Sequence, residues 1–231
     1  PDVPEMYINL AEKAISDVYN YGKVPYAMPE ITLELMKKMW LRPDGMQIYY
    51  SSTQMDGYFG LKEHLSYDYY PASAFKTPIW GLLQANQLLA TEFIIDFCNK
   101  TGEAYQKSHL NIDYKECFDI TISVGGQLIN QTASNRLWQM YRGSHVGSNL
   151  LVSLLMGFER WLLNIVETSQ TSTVVDYCQF ILSKSKNVML TAIVVSIAEA
   201  YPEKMLDVVC ELLKTKEIFR LDHNRWSSER T

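Results

Sequence analysis

The sequence predicts a mainly all-α protein with one small β-hairpin. Three observations carry that reading. Leu150, Leu151, Leu154, Leu155, Phe158, Trp161, Leu162, Ile165 and Val166 recur at steps of three and four, the period of one wide helical stripe. Val188 to Ala200 is apolar nearly all round and is followed, after Tyr201-Pro202, by an amphipathic run. Only residues 118–130 alternate apolar and polar side chains as a strand does.

Taken in order, Met6 to Asn20 reads as an amphipathic helix, with Tyr7, Leu10, Ala11, Ala14, Ile15 and Val18 on one side and Gly22 closing it. Pro29 suits the first turn of a second helix that runs to about Leu41 and buries Leu35, Met36, Met39 and Trp40. Arg42-Pro43-Asp44-Gly45 is a turn signal. Between Met46 and Pro78 no period is sustained, with a short helix expected around Gly60 to Leu65. Helix returns from Pro78 to Lys107. A break near Asn86 splits it in two, and Gly102 is expected to end the second helix before a short continuation to Ser108.

In the β-like stretch Phe118, Ile120, Ile122 and Val124 alternate with Asp119, Thr121 and Ser123. Gly125-Gly126 supplies a hairpin turn before Leu128 and Ile129. Gly143 stands where a helix C-cap glycine belongs, and Ser148 is an N-cap for the long helix that follows. On that helix Asn149, Ser153, Gly157, Arg160 and Asn164 fall between the apolar positions. Val174 to Ser183 and Val188 to Ala200 are further helices, and Pro202 is placed at the first turn of the next. There Met205, Leu206, Val208, Val209, Leu212 and Leu213 are expected to face inward. Leu221 to Thr231 is polar and reads as a frayed end or a cut boundary. Antiparallel helix pairs of this kind stack into a HEAT-like or irregular α-solenoid, although no exact repeat is visible.

Composition narrows the function classes. The chain has 231 residues, is 47% hydrophobic and 20% charged, and carries a net charge of −5. Its longest basic run is Lys37-Lys38, which argues against a nucleic-acid surface in this segment. Cys98, Cys117, Cys178 and Cys210 lie far apart without a zinc spacing, and such thiols fit a reducing, cytoplasmic setting. The apolar run Val188 to Ala198 is too short to cross a bilayer. The chain opens on Pro1 with no initiator methionine or signal peptide, which reads as an excerpt from a longer protein, with trimming or processing as the alternative. One helical domain over 1–231 is expected, with a possible division into 1–131 and 132–216.

Chemistry-bearing residues are sparse. His145 and Glu159 could form an acid/base pair, but a solvated turn with an Arg142–Glu159 ion pair is the plainer reading. Tyr67-Asp68-Tyr69-Tyr70 could stack a sugar or a base, and more plainly packs a loop over the helices. Asp56, Asp68 and Glu159 are the carboxylates an all-helical carbohydrate enzyme would draw on. Gly125-Gly126 lacks the spacing, lysine and strand-to-helix setting of a phosphate loop. The sequence therefore assigns no catalytic, cofactor-binding or metal residue, no cofactor and no small-molecule substrate.

Several phrases resemble the large ATP-binding STAND-type NTPases of bacterial antiviral defence. They are Tyr69 to Leu83, the Gly-Gly hairpin leading to Leu137–Gly143, Leu150 to Leu163, and Val195 to Leu213, within a similarity spanning about residues 50–215. The resemblance implies a helical segment beyond the NTPase core, in a parent protein that senses phage and oligomerises using ATP. No Walker lysine motif or acidic strand end falls in these residues, so none of that machinery carries over. The expectation is a non-catalytic helical scaffold that contacts a protein partner or a neighbouring subunit, with no membrane or nucleic-acid contact.

Overall fold

The computed structural model describes residues 10, 11, 15, 23–43, 55–62, 65–144 and 147–230. The helix read over Met6–Asn20 therefore lies almost wholly outside the described residues. Of its inward set, Ile15 is buried and Leu10 is exposed. His145 also lies outside them.

The protein is all-α with one small hairpin. A short α1 (Val24–Ala27) leads into α2 (Pro29–Trp40), whose first turn holds Pro29 and whose inner face buries Leu33, Met36, Met39 and Trp40. A 3₁₀ turn, Asp56–Phe59, ends on Gly60 in the left-handed region, and α3 (Leu65–Asp68) follows. The helix expected over Gly60–Leu65 is thus two shorter turns on either side of it. Trp40 is fully buried, with its Nε1 donating to Tyr69 Oη at 3.0 Å and its ring edge-on to Phe97.

Asn86 separates α4 (Ile79–Ala85) from α5 (Gln87–Gln106), its side chain accepting from the Leu89 amide at 3.2 Å. Gly102 does not end α5, which runs on to Gln106. The glycine is there for space instead. A Cβ at 102 would stand 2.8 Å from Asn187 Cγ. Asn187 also donates to the Cys98 carbonyl at 2.8 Å and accepts from the Met189 amide at 3.1 Å.

After α6 (His109–Tyr114), strands β1 (Phe118–Val124) and β2 (Gln127–Ala133) pair antiparallel, with Phe118 opposite Ala133 and Val124 opposite Gln127. Gly125 and Gly126 both have positive φ, as a two-residue turn of this twist requires. Ile120, Ile122 and Val124 face the core, whereas Leu128 is exposed.

The chain then forms α7 (Asn135–Gln139), a 3₁₀ turn (Met140–Arg142), and the long α8 (Asn149–Thr168). Gly143 is left-handed at the corner, and Ser148 accepts from the Leu151 amide at 3.4 Å. The apolar stripe of α8 is buried as expected, with Ile165 half-buried. Ser153 and Gly157 depart from expectation, because both are buried as well. A loop crosses α8 at that point. The Ser73 amide donates to Ser153 Oγ at 3.2 Å, and a Cβ on Gly157 would lie 3.0 Å from the Ala74 carbonyl oxygen.

The helices α9 (Thr171–Lys184), α10 (Val188–Ala200), α11 (Leu206–Leu212) and α12 (Lys216–Ser228) complete the chain. Pro202 sits in a turn ahead of α11 rather than in its first turn, and Leu206 and Leu213 are exposed rather than inward. The expected frayed end is instead helix α12, which buries Ile218, Leu221 and Arg225 and packs on α7. A buried arginine makes that face read as polar. The stack is irregular, since α8 touches α3, α4, α9 and α10. By length and composition α8 is long and apolar enough to span a membrane; in this structure most of it is buried within the protein.

Gly102→Ala should push Asn187 off the cap of α10 and its bond to Cys98. A loss of about 1–3 kcal/mol is expected, read from the shift in urea midpoint at unchanged slope. An unshifted midpoint would show that α5 and Asn187 have room to spare.

Candidate functional site

The groove between α10, α11 and α12 is the best-formed candidate. Its volume is about 480 Å³. Val195 and Ala198 from α10, Leu212 from α11 and Ile218 from α12 give it a buried apolar floor. Leu213, Phe219 and Trp226 stand along it and remain 51%, 52% and 45% exposed. Side chains of this size left half in water are costly to expose and suited to burial by a partner. Phe219 and Trp226 sit there because α12 turns its buried row, Ile218, Leu221 and Arg225, toward α7 and toward Glu199 of α10, and so leaves the flanking positions open.

A charged cluster closes one wall. Arg225, itself buried, donates through Nε to Asp222 Oδ1 at 2.7 Å and through Nη2 to Asp222 Oδ2 and Glu199 Oε2, both at 3.0 Å. Its Nη1 reaches both Glu229 oxygens at 3.3 Å, and Trp138 Nε1 donates to Asp222 Oδ1 at 3.4 Å. Arg142 extends the network to Glu229 at 3.4 Å and Glu159 at 3.5 Å. Two arginines thus face four carboxyl groups.

Burial and the bonds within the cluster move their protonation. Burial, and next the hydrogen bond to Asp222, push Glu199 up to about 7. For Asp222 burial acts upward too, but the bonds from Arg225 and Glu199 outweigh it and hold the carboxyl below the ordinary aspartate range. Burial raises Glu159 against the pull of Arg142. Chemically, Asp222 is engaged on both oxygens, and Glu199 is the carboxyl that lines the groove with a side chain still 53% exposed. The arrangement offers an apolar trough edged by Glu199 beside the Asp222–Arg225 pair; this edge gains negative charge as Glu199 ionises through about pH 7, and a cation bound there favours the ionised form.

The residues singled out from sequence do not converge here. Arg142 and Glu159 do pair, at the back of this network. Asp56 is buried at the start of its 3₁₀ turn and Asp68 is at the exposed end of α3; neither, nor Glu159, lines the groove. The tyrosine cluster splits, with Tyr69 buried under Trp40 and Tyr67 and Tyr70 out in solvent. Glu199, Asp222 and Arg225 were missed because they are ordinary surface types in sequence; the spacing of Asp222 and Arg225 on one helix face was the available signal. Among the described residues no three His, Cys, Asp or Glu side chains are placed to hold a metal ion. The thiols are free, and burial pushes Cys178 up to about 12.

These features define an all-α protein with a small hairpin and an apolar groove walled by an acidic cluster. No protein-family model matches the chain, and no curated protein matches it at a significant level.

Glu199 supplies a pH test. Its folded value near 7 lies above the ordinary 4.5, so the neutral form favours folding and that contribution is lost as pH rises through about 7. Glu199→Gln keeps the neutral form throughout. The Tm of the variant minus that of the parent should therefore rise between about pH 5 and pH 8. A difference that stays flat or falls would mean that the ionised carboxylate is held comfortably by Arg225.

Proposed function

We propose that this chain is a non-catalytic helical interaction module, whose α10–α12 groove receives a segment of a protein partner carrying apolar side chains and a basic residue. One observation carries the reading: three half-exposed large apolar side chains stand over an apolar trough whose wall has more carboxyl groups than arginines. Partner helices dock in such grooves by apolar anchors, and the charge at the edge selects and orients them. Within a larger NTPase-type defence protein of the kind the sequence resembles, the module would serve as a scaffold and contact, and the nucleotide chemistry would lie elsewhere. The carbohydrate-enzyme alternative is less favoured. It requires two carboxyl groups about 5–10 Å apart in one cleft. Glu199 and Asp222 share a hydrogen bond and an arginine instead.

The experiment is selection from a displayed random-peptide library, with Leu213→Asp and Trp226→Ala proteins as counter-baits. The expected motif combines spaced apolar residues with a Lys or Arg. Its affinity should fall about 30-fold in Trp226→Ala, as for a buried aromatic anchor, and by a smaller factor in Glu199→Gln. Peptides indifferent to these changes would contradict the reading. So would a dimer in solution that Leu213→Asp dissociates, since the groove would then be filled by a second copy.

A further inference from the structure

A second cleft lies apart from the groove and shares no residue with it. It encloses about 740 Å³ between the C-terminal end of α2, the Phe59–Gly60 turn and the C-terminal half of α5. Its floor is tightly built. Leu41 and Leu61 form a β-bridge, the Arg42 amide donates to the Gly60 carbonyl at 2.9 Å, and the Lys62 amide donates to the Trp40 carbonyl at 3.1 Å. Gly60 needs its positive φ there, and a Cβ would come within 3.0 Å of Ala104 Cβ. The turn is thereby pressed on α5, with Phe59 stacked on Tyr105 at 4.9 Å.

The walls carry Lys37, Lys38, Arg42, Lys100 and Lys107, with Glu103 as the one acid. Glu103 is taken up by Lys107 at 2.5 Å, and that pairing draws its carboxyl below the usual range. No carboxylate of a described residue is within salt-bridge reach of Lys37, Lys38, Arg42 or Lys100. The helix neighbours Glu34 and Asp96, three or four residues away, do not pair with them either. Among the described residues that line the cleft, five cations stand against one acid, in a chain whose net charge is −5. Arg42 adds an independent sign. The residue is half-buried in the wall, and its Nη1 is shielded from solvent with no hydrogen-bond partner among the described residues.

We infer that this cleft binds a small molecule bearing two or more phosphate groups. Concentrated positive charge in a concave site attracts dense negative charge, and lysine and arginine donors match phosphate oxygens. The volume suits a metabolite-sized ligand. A nucleic-acid backbone requires an extended basic track instead. Leu41 and Pro43 on the wall leave an apolar contact for the body that carries the phosphates. The site acts by charge and shape; no loop of the Walker type is involved.

The test is calorimetric titration of the whole chain with inorganic tripolyphosphate, with orthophosphate and citrate as comparators. Tripolyphosphate should bind at least tenfold more tightly than either and weaken steeply with added salt. The double reversal Lys38→Glu/Lys100→Glu should reduce binding at least tenfold. Lys216→Glu, at an exposed lysine on α12, should leave it unchanged. Thermal melts establish that each variant folds. Amide shifts on titration should fall in 37–42 and 100–107, which keeps the claim testable should the double variant not fold. Titrations with a nucleoside triphosphate and with inositol hexakisphosphate then identify the carrier by the tighter partner. Absence of binding, binding that survives the double reversal, equal binding of citrate, or tighter binding of a random RNA oligomer at the same amides would each overturn the proposal.

Discussion

Gly157 lets the backbone at Ala74 lie directly against α8, and Ser153 one turn earlier takes the Ser73 amide. These two small residues flank the apolar stripe of α8 and widen its buried side. The exposed positions of the helix are Arg160, Asn164, Glu167 and Thr168. On the stripe side α9 and α10 lean on it, while α3 and α4 lie on it from the earlier part of the chain. Trp161 is set edge-on to Trp80 at 5.7 Å, and Arg160 caps the faces of Trp80 and Phe75.

The hairpin works as a clamp on the same assembly. Glu211 of α11 accepts from the Gly125 and Gly126 amides at 2.8 and 3.3 Å, and Thr215 donates to the Thr121 carbonyl at 3.0 Å. At the other end, the Thr132 amide donates to the Lys186 carbonyl, and Gln131 bridges the Ser185 carbonyl and Thr191. Two strands alone are marginal in water, so these side-chain ties are what hold β1 and β2 in register against the helices. They also set where α11 stands, and thereby one wall of the groove.

Much of this was legible in sequence where the signal is local. The break and cap at Asn86, the corner from Gly143 to Ser148, the Gly-Gly turn and the Arg142–Glu159 pair all depend on residues a few positions apart or on one helical period. What was not legible depends on distant approach. Gly102 resembles a helix stop until Asn187 is brought beside it. Helix α12 looks like a polar tail because the residue it buries most deeply among charges is Arg225, whose partner Glu199 comes from α10. The basic cleft escapes notice for the same reason, since its lysines are gathered from α2 and α5 and never form a run longer than two.

The central physical claim is that α8 is a largely buried rod on which the elements before and after it depend together. Native-state hydrogen exchange of the amides from Leu154 to Leu162 tests it most directly. The account predicts that these amides, with those of α10, exchange only through global unfolding and are the slowest in the chain. If they exchanged as fast as those of α12, α8 would be opening on its own, and the account of the fold would be wrong.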